Sequence, residues 1–227
     1  MREAWAYRAN RLVDVLRGRP SRRELYRSLI ASHAPGRSVA DVGCMWRVHG
    51  DYAFHALASG ATDVVGVDVS TPTAEFTARN AAAGNRVRFV QGDINDPATL
   101  ERIGPVDVVF CAGVLYHMPN PLHTLGQLHR LTGKTLIIGS VTIAEQESPQ
   151  AAVFLPFLER REAKALSFSP EGVKVGVDTA FSRDQPYANW FWGFSPSAVG
   201  AMLRAVGFEV REQHDFRRAV CFVCDRR

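Results

Sequence analysis

The sequence has no long hydrophobic run and only four cysteines. A membrane-spanning helix needs about 20 consecutive apolar residues, and no stretch of the chain approaches that length. Because cysteine is scarce and no secretory signal peptide is recognisable, we expect a protein of the reducing cytoplasm with no membrane partner. Cys221 and Cys224 form a CxxC pattern, but no second pair accompanies them. The run "AVCFVC" also predicts a strand, in which residues three apart point to opposite faces, so we expect no zinc site.

Lysine is nearly absent, since the 27 basic residues include only three lysines. The chain has 227 residues, of which 46% are hydrophobic and 22% are charged, close to the averages of globular domains. This length is sufficient for one domain with a sizeable core and too short for two enzymatic domains. We expect a basic N-terminal helical segment over residues 1–37, followed by one domain over residues 38–227.

Positive charge is concentrated at the N-terminus, where residues 1–37 carry nine arginines against three acidic residues. Trp5, Leu12 and Leu16 fall on one helical face, and Leu25 and Leu29 fall on one face of a second helix. The pattern predicts two amphipathic helices that pack on the domain with their arginines outside. The alternative interpretation is an arm that attracts the phosphates of RNA or of a phosphorylated substrate.

Proline and glycine mark the helices. Four segments begin with a polar residue followed by proline and end at or near a glycine, which predicts helices over residues 71–84, 96–104, 120–133 and 195–207. Between them lie apolar, β-branched runs that predict strands covered on both faces, over residues 38–43, 63–69, 87–92, 106–112 and 135–143. We therefore predict an α/β fold with a doubly wound, mainly parallel sheet. Residues 208–216 and 218–224 are expected to add a C-terminal antiparallel hairpin.

The turn after the first strand, "DVGCMWRVHG" over residues 41–50, lacks the second glycine that nucleotide-binding turns place close to the first. In a doubly wound sheet, ligands bind beyond the carboxyl ends of the strands. Asp68 follows Gly43 by 25 residues, whereas a ribose-binding carboxylate is expected after roughly 20. If Met45-Trp46-Arg47 is an insertion, Gly50 falls where the last glycine of the turn belongs. The turn is interpreted as lengthened rather than destroyed.

The missing glycine also bears on the ligand. A dinucleotide needs close approach of the backbone to its pyrophosphate, which the complete glycine pattern provides and this turn does not. No tyrosine has a lysine four residues later, which argues against a short-chain dehydrogenase. An adenosine that carries an amino-acid tail and no phosphate fits these residues better.

The segments "VADVGC", "VVGVDVS", "VRFVQGDI" and "VDVVFCAGVLYHMPNP" resemble, in this order, the motifs of class I S-adenosylmethionine-dependent methyltransferases over residues 38–143. The resemblance implies S-adenosyl-L-methionine as cofactor and S-adenosyl-L-homocysteine as product. It also implies that Asp68 binds the ribose hydroxyls and Asp93 the adenine amino group. The added Met45-Trp46-Arg47 departs from the family pattern, and there we expect Trp46 to lie over the cofactor tail and Arg47 to pair with a carboxylate of the methionine or of a substrate. The full set of expected cofactor-binding residues is Asp41, Gly43, Cys44, Trp46, Arg47, Gly50, Asp68, Val69, Asp93, Ile94, Ala112 and Gly113.

Methyl transfer from a sulfonium makes modest demands on side chains, because the methyl group is already activated. It requires in-line positioning, exclusion of water and, for some acceptors, removal of a proton. His117, just after the fourth strand, is the best placed general base, with Tyr116 beside it as the second candidate catalytic residue. The segment "AGVLYHMPN" contains no carboxylate, so we expect no catalytic metal.

Residues 144–194 interrupt the alternation of strands and helices and are rich in aromatic side chains. This interval is too apolar for a linker and too long for an ordinary connection, so it predicts a cap over the acceptor side of the pocket, here called the cap segment. Trp190, Trp192 and Tyr187 are the predicted substrate-binding residues. The alternative interpretation is that the aromatic residues pack the cap segment onto the sheet.

Two stretches of the sequence bear on the acceptor. The stretches "GVLYHMPNPLHTL" and "YANWFWGFSPSAVGAMLRAVGF" resemble enzymes that alkylate the wobble uridine of transfer RNA with a carboxylated cofactor. Those enzymes are expected to carry arginines just after the histidine, where this chain has Met118-Pro119-Asn120. We therefore rank O- or N-methylation of a small molecule in bacterial secondary metabolism first and a transfer RNA acceptor second. A non-catalytic binding or scaffolding protein is the alternative from another functional class.

Overall fold

The computed structural model describes residues 20–158, 181–184 and 186–227. Seven strands form one sheet in the order β3-β2-β1-β4-β5-β9-β8. The neighbours among the first five are parallel, whereas β9 runs antiparallel to β5 and β8 antiparallel to β9. The elements are α1 (Arg22–His33), β1 (Ser38–Val42), α2 (Asp51–Ala58), β2 (Asp63–Asp68), α3 (Ala74–Ala82), β3 (Val87–Gln91), α4 (Pro97–Ile103), β4 (Val106–Ala112), a 3₁₀ turn (Leu115–His117), α5 (Pro121–Leu131), β5 (Thr132–Val141), β6 (Ala152–Phe154), a second 3₁₀ turn (Pro186–Ala188), β7 (Trp192–Phe194), α6 (Pro196–Ala205), β8 (Phe208–Phe216) and β9 (Ala219–Arg226).

The predicted doubly wound sheet and its terminal hairpin are confirmed. Asp96, Asn120 and Ser195 cap α4, α5 and α6, and each precedes a proline at the first helical position, where the missing N–H costs nothing. Both faces of the sheet are covered, since buried side chains form one hydrophobic cluster on each side. Cys221 and Cys224 belong to opposite clusters, as the strand prediction required.

One predicted helix start was wrong, and one predicted strand begins earlier than expected. The helix predicted over residues 71–84 begins at Ala74, because the Thr73 side chain accepts the N–H of Phe76 and caps α3 in place of the Thr71-Pro72 pair. The helix predicted over residues 120–133 ends at Leu131. Thr132 pairs with Val106 of β4, so β5 begins directly after the helix and includes Gly133.

At the N-terminal end, α1 confirms the second predicted helix. Ser21 and Glu24 form a reciprocal capping box, and Leu25 and Leu29 face the core. The first predicted helix, with Trp5, Leu12 and Leu16, lies outside the described residues. Within the described ranges, no helix has the length and apolar character needed to cross a membrane.

The described part of the cap segment contains a small second sheet, in which β6 pairs antiparallel with β7. Ile143 N–H donates to the carbonyl of Phe194, and Leu155 N–H donates to that of Phe191, so both ends of the segment lie against each other. Residues 159–180, including Phe168, fall outside the description. The cap segment therefore begins and ends beside β5 and the turn after β4, near the carboxyl edge of the parallel strands.

Candidate functional site

The turn after β1 brings its backbone close to the neighbouring strand ends. Gly43 has a φ of 81°, and its N–H donates to the carbonyl of Val67 at 2.8 Å. A Cβ at this position would collide with the side chain of Val114, which follows β4. Gly43 is therefore required both for its positive φ and for the close approach of the turns after β1 and β4.

The Met45-Trp46-Arg47 insertion is folded around a buried anchor. Met45 is only 2% exposed and packs in the core, whereas Trp46 is 68% exposed. Arg47 has a φ of 58°, a left-handed conformation that side chains rarely adopt, and its guanidinium carbon lies 5.9 Å from the centre of the Trp46 ring. Gly50 then lies directly before α2, at its N-cap position, with a φ of 75°. The predicted roles of Trp46 and Arg47 in binding stay predictions.

Asp41 is the buried carboxyl group beneath this turn. Its side chain is 2% exposed, and Oδ2 accepts the backbone N–H of Ala53 in the first turn of α2 at 3.0 Å. Cys44 is fully buried beside Gly66 of β2, where its Sγ fills the space above the glycine. Burial raises the pKa of Asp41 to about 7, with the nearby charge of Asp68 acting in the same direction. A cation beside Asp41 would favour its ionised form.

Asp68 ends β2 and is held by two backbone amides. Its Oδ2 accepts the N–H of Met45 at 2.7 Å, and its Oδ1 accepts the N–H of Ser70 at 2.8 Å. An ionised carboxylate offers about four acceptor positions, so about two remain for a ligand. The insertion therefore orients the carboxylate predicted to bind the ribose, a contact that motif spacing alone did not reveal. Val69 follows, half-buried, and its carbonyl accepts from Gln91.

Asp93 lies just after β3 and joins three parts of the chain. Its Oδ1 accepts both the backbone N–H and the side-chain amide of Asn95, at 2.8 and 3.0 Å. Its Oδ2 accepts the hydroxyl of Tyr187 at 3.0 Å. Ile94 is buried next to it. Asp93 thus caps its own turn and also contacts the cap segment, and only the first of these contacts is recognisable from local sequence.

His117 lies in the 3₁₀ turn after β4. Its Nδ1 is 2.8 Å from the carbonyl of Asn189, and since a carbonyl only accepts, Nδ1 carries the proton. Burial lowers the pKa of His117, so the ring is neutral at pH 7 with Nε2 as an acceptor. Upstream, Ala112 ends β4 and Gly113, with a φ of 80°, donates its N–H to Gly139 at 3.0 Å.

Tyr116 and Trp190 form the apolar side of this turn. Their ring centres are 4.3 Å apart, and Trp190 also meets the ring of His117 edge-on at 5.3 Å. Both side chains are buried, and burial raises the pKa of Tyr116 to about 12, so its hydroxyl keeps its proton at neutral pH. Trp190 is 4% exposed, so it packs the cap segment onto the domain, as in the alternative interpretation of the aromatic residues. Trp192 is half-buried, and its Nε1 donates to the carbonyl of Pro119 at 3.3 Å.

One cavity of about 240 Å³ lies between the turns after β3 and β4 and the Tyr187 turn. It brings the predicted adenine-binding carboxylate, the predicted base and the predicted substrate residue Tyr187 into one place. His123, in the first turn of α5, also borders it and was not among the predicted site residues. Across residues 20–158, 181–184 and 186–227 there is no group of three metal-ligating side chains. The main residues that line the cavity are Asp93, Asn95, His117, Met118, His123 and Tyr187.

Comparison with known proteins agrees with this architecture. Residues 39–134 match the family described as "Methyltransferase domain". The chain is 35% identical over 125 residues to a tRNA U34 carboxymethyltransferase of Shewanella piezotolerans, covering 49% of this chain and 34% of that protein. It is 27% identical over 178 residues to a ubiquinone biosynthesis O-methyltransferase of Pseudomonas paraeruginosa, covering 78% of this chain and 66% of that protein. It thus spans about a third of the first of these relatives and just under two thirds of the second.

A solved structure extends the likeness over the whole chain. The 1,6-didemethyltoxoflavin-N1-methyltransferase of Burkholderia thailandensis, crystallised with 1,6-didemethyltoxoflavin and S-adenosylhomocysteine, superimposes with a TM-score of 0.63. The match covers 99% of this chain and 89% of that one at 16% sequence identity. At this identity the superposition shows the fold alone, which is that of the class I methyltransferases.

Proposed function

We propose that this chain, whose residues 39–134 carry a methyltransferase domain, transfers a methyl group from S-adenosyl-L-methionine to a small-molecule acceptor. The observation that carries the proposal is that Gly43, Asp68, Asp93 and Gly113 lie at or just beyond the carboxyl ends of four adjacent parallel strands. Ligands of doubly wound sheets bind at this edge. The family match and the fold support the reaction class, while the acceptor class rests on the cap segment.

The residues at this edge suit an adenosine with a charged amino-acid tail. Asp68 keeps about two acceptor positions for a ribose diol, and Asp93 keeps about one for the adenine amino group. Gly43 provides backbone without a side chain, and Asp41 supplies a buried carboxyl group beneath the turn. S-adenosylmethionine would supply an electrophilic methyl group on a sulfonium. No phosphate-binding glycine pattern is needed for such a ligand.

The protein's own part in the reaction is to position the acceptor, exclude water and accept a proton. His117 is suited to proton removal because it is neutral and its Nδ1 proton is fixed by Asn189, which leaves the Nε2 lone pair free to accept. Tyr116 keeps its proton at neutral pH and so is suited to wall off the site or donate a hydrogen bond. Trp46 and Arg47 lie at the exposed side of the turn after β1, where they contact each other.

A small acceptor is favoured by the aromatic surroundings of the site. Trp190 and Trp192 of the cap segment lie against the turn after β4, and Tyr187 contacts Asp93 after β3. The cavity of about 240 Å³ also borders Asp93, the predicted adenine-binding residue, so the acceptor class rests on the aromatic side chains of the cap segment and not on the volume of the cavity. A transfer RNA acceptor is the second candidate, because it is the substrate named for the relative with 35% identity over 125 residues.

The two candidates separate in one assay of radiolabelled methyl transfer. The purified protein is incubated with labelled S-adenosylmethionine and either bulk transfer RNA or a panel of phenolic and heteroaromatic small molecules. We expect label in a small-molecule fraction and none in transfer RNA. Because phosphate contacts release counterions, the affinity for an RNA held by six or more arginine contacts would fall roughly a thousandfold between 50 and 200 mM salt, and label in RNA would decrease with it. Labelled transfer RNA with that salt dependence would replace the first candidate by the second.

A further inference from the structure

The Tyr187–Asp93 hydrogen bond joins residues that are 94 positions apart in the sequence. The Tyr187 hydroxyl donates to Oδ2 at 3.0 Å, whereas the two donors of Asn95 bind Oδ1. Among the described residues, Tyr187 is the only hydrogen-bond donor to Oδ2. The carboxylate of Asp93 is therefore oriented by three donors, one of which belongs to the cap segment.

The acceptor capacity of Asp93 is nearly exhausted by these bonds. A carboxylate has about four acceptor positions, and three are occupied. The remaining position is on Oδ2, beside the Tyr187 hydroxyl. It can accept one N–H of a ligand without displacing the tyrosine. The direction of this position depends on the side-chain rotamer of Asp93. Tyr187 fixes that rotamer through a hydrogen bond to Oδ2, and Asn95 fixes it through hydrogen bonds to Oδ1.

Both partners of the bond are held by independent contacts. Asn189, two residues after Tyr187, exchanges two hydrogen bonds with the backbone of Ser182, and its carbonyl accepts the Nδ1–H of His117. On the other side, the Asn95 side chain accepts the hydroxyl of Thr124 in α5 at 2.8 Å. The Tyr187 turn is thus fixed to the turn after β4, and Asp93 is fixed to α5.

We propose that Tyr187 is a positioning residue for cofactor recognition, which fixes the Asp93 carboxylate so that its remaining acceptor position meets the adenine amino group. This inference rests on the proposed function. Tyr187 does not contact the reacting atoms and acts through Asp93. It also links the cap segment to cofactor affinity, because the Tyr187 turn borders the cavity beside His117 and also orients the carboxylate proposed to bind adenine.

The test is calorimetric titration of wild-type protein, Tyr187→Phe, Asp93→Asn and the double variant with two ligands. The first ligand is S-adenosyl-L-homocysteine. The second is S-inosyl-L-homocysteine, whose ring carries an oxygen in place of the amino group. Tyr52→Phe is the control variant, because its hydroxyl makes no hydrogen bond within the described ranges and its ring packs on Phe110. Tyr187 is 42% exposed, so loss of one hydroxyl leaves the fold intact.

We expect Tyr187→Phe to weaken S-adenosylhomocysteine binding by about three- to tenfold and to change binding of the inosyl analogue less than about twofold. In the Asp93→Asn background, Tyr187→Phe should add no further loss, because the tyrosine acts through that carboxylate. Tyr52→Phe should bind both ligands as the wild type does.

Three results would overturn the inference. Equal S-adenosylhomocysteine affinity in wild type and Tyr187→Phe would show that the hydroxyl is idle. An equal loss for both ligands would show a general structural role, and tighter binding by Tyr187→Phe would show that the hydroxyl competes with the amino group. Failure of the wild type to bind S-adenosylhomocysteine at all is a different outcome, because it contradicts the proposed function itself.

Discussion

The strand-end turns of β1 to β3 and the Tyr187–Trp192 part of the cap segment meet at one site but are held there by different bonds. Asp41 and Asp68 are oriented by backbone amides of Ala53, Met45 and Ser70, which lie within 23 residues of them. The cap segment is attached by contacts across 72 and 94 residues, between His117 and Asn189 and between Asp93 and Tyr187. The first region is built from local turns, and the second is docked onto them.

This difference predicts how each region responds to substitution. Changes at the strand ends should alter cofactor affinity or pH dependence while the fold persists, because each carboxylate makes few contacts. Changes in the docked segment should alter stability where the side chain is buried, and elsewhere should alter binding of the acceptor or, at Tyr187, of the cofactor.

The largest expected effect is on stability, at Trp190. Trp190→Ala should lower the free energy of unfolding by about 3 to 5 kcal/mol, because it removes a large buried side chain that packs on Tyr116 and His117. Urea denaturation followed by circular dichroism measures this change. The matched control is Trp46→Ala, the same substitution at a site 68% exposed, which should change stability by less than about 0.5 kcal/mol. Equal effects at the two sites would show that Trp190 is not part of the core.

Trp190 and Trp46 also show which features of the fold and site can be predicted from the sequence and which cannot. The strands, three of the four proline-capped helices and the positions of Asp68 and Asp93 follow from periodicity, capping chemistry and strand-end logic. The burial of Trp190 does not, because an aromatic residue in a long connection is compatible with either a pocket wall or a core. The Tyr187–Asp93 contact is equally invisible, since no local pattern specifies which loop a docked segment meets.

Asp41 is expected to give the next largest effect, as a dependence of stability on pH. Its pKa is raised to about 7 in the folded protein, whereas the unfolded carboxyl group loses its proton near 4. Between these values the folded state binds more protons, so stability falls as pH rises from about 4 to 7 and then levels off. Asp41→Asn keeps an acceptor for Ala53 N–H and should remove this loss, which is at most about 4 kcal/mol.

The measurement compares the unfolding free energies of wild type and Asp41→Asn at pH 5 and pH 8. Asp107→Asn is the control, because Lys134 and Ser38 lower the pKa of Asp107 and its contribution is constant over this range. The stability of Asp41→Asn relative to wild type should rise between pH 5 and pH 8, while that of Asp107→Asn relative to wild type stays unchanged. A pH-independent difference for Asp41→Asn would mean that the carboxyl group titrates normally in the folded protein.

The smallest expected effect is on cofactor affinity, and it distinguishes the buried Met45 from the exposed Trp46 within the insertion. Met45 is buried and donates to Asp68, so deletion of Met45-Trp46-Arg47 should weaken cofactor binding by about tenfold. Trp46→Ala removes only an exposed ring and should weaken binding by less than about threefold. Titration with S-adenosylhomocysteine measures both. A deletion variant with wild-type affinity would show that the insertion takes no part in the site.

The central claim is that the carboxyl edge of the parallel sheet binds S-adenosylmethionine through Asp68. The most direct measurement is calorimetric titration of wild type, Asp68→Ala and Asp63→Ala with S-adenosylhomocysteine. Asp63 is the matched control, because it begins the same strand that Asp68 ends and lies at the opposite, exposed edge. We predict saturable binding by wild type and Asp63→Ala and an affinity about ten- to a hundredfold lower for Asp68→Ala. No binding by the wild type, or equal binding by all three proteins, would contradict the claim.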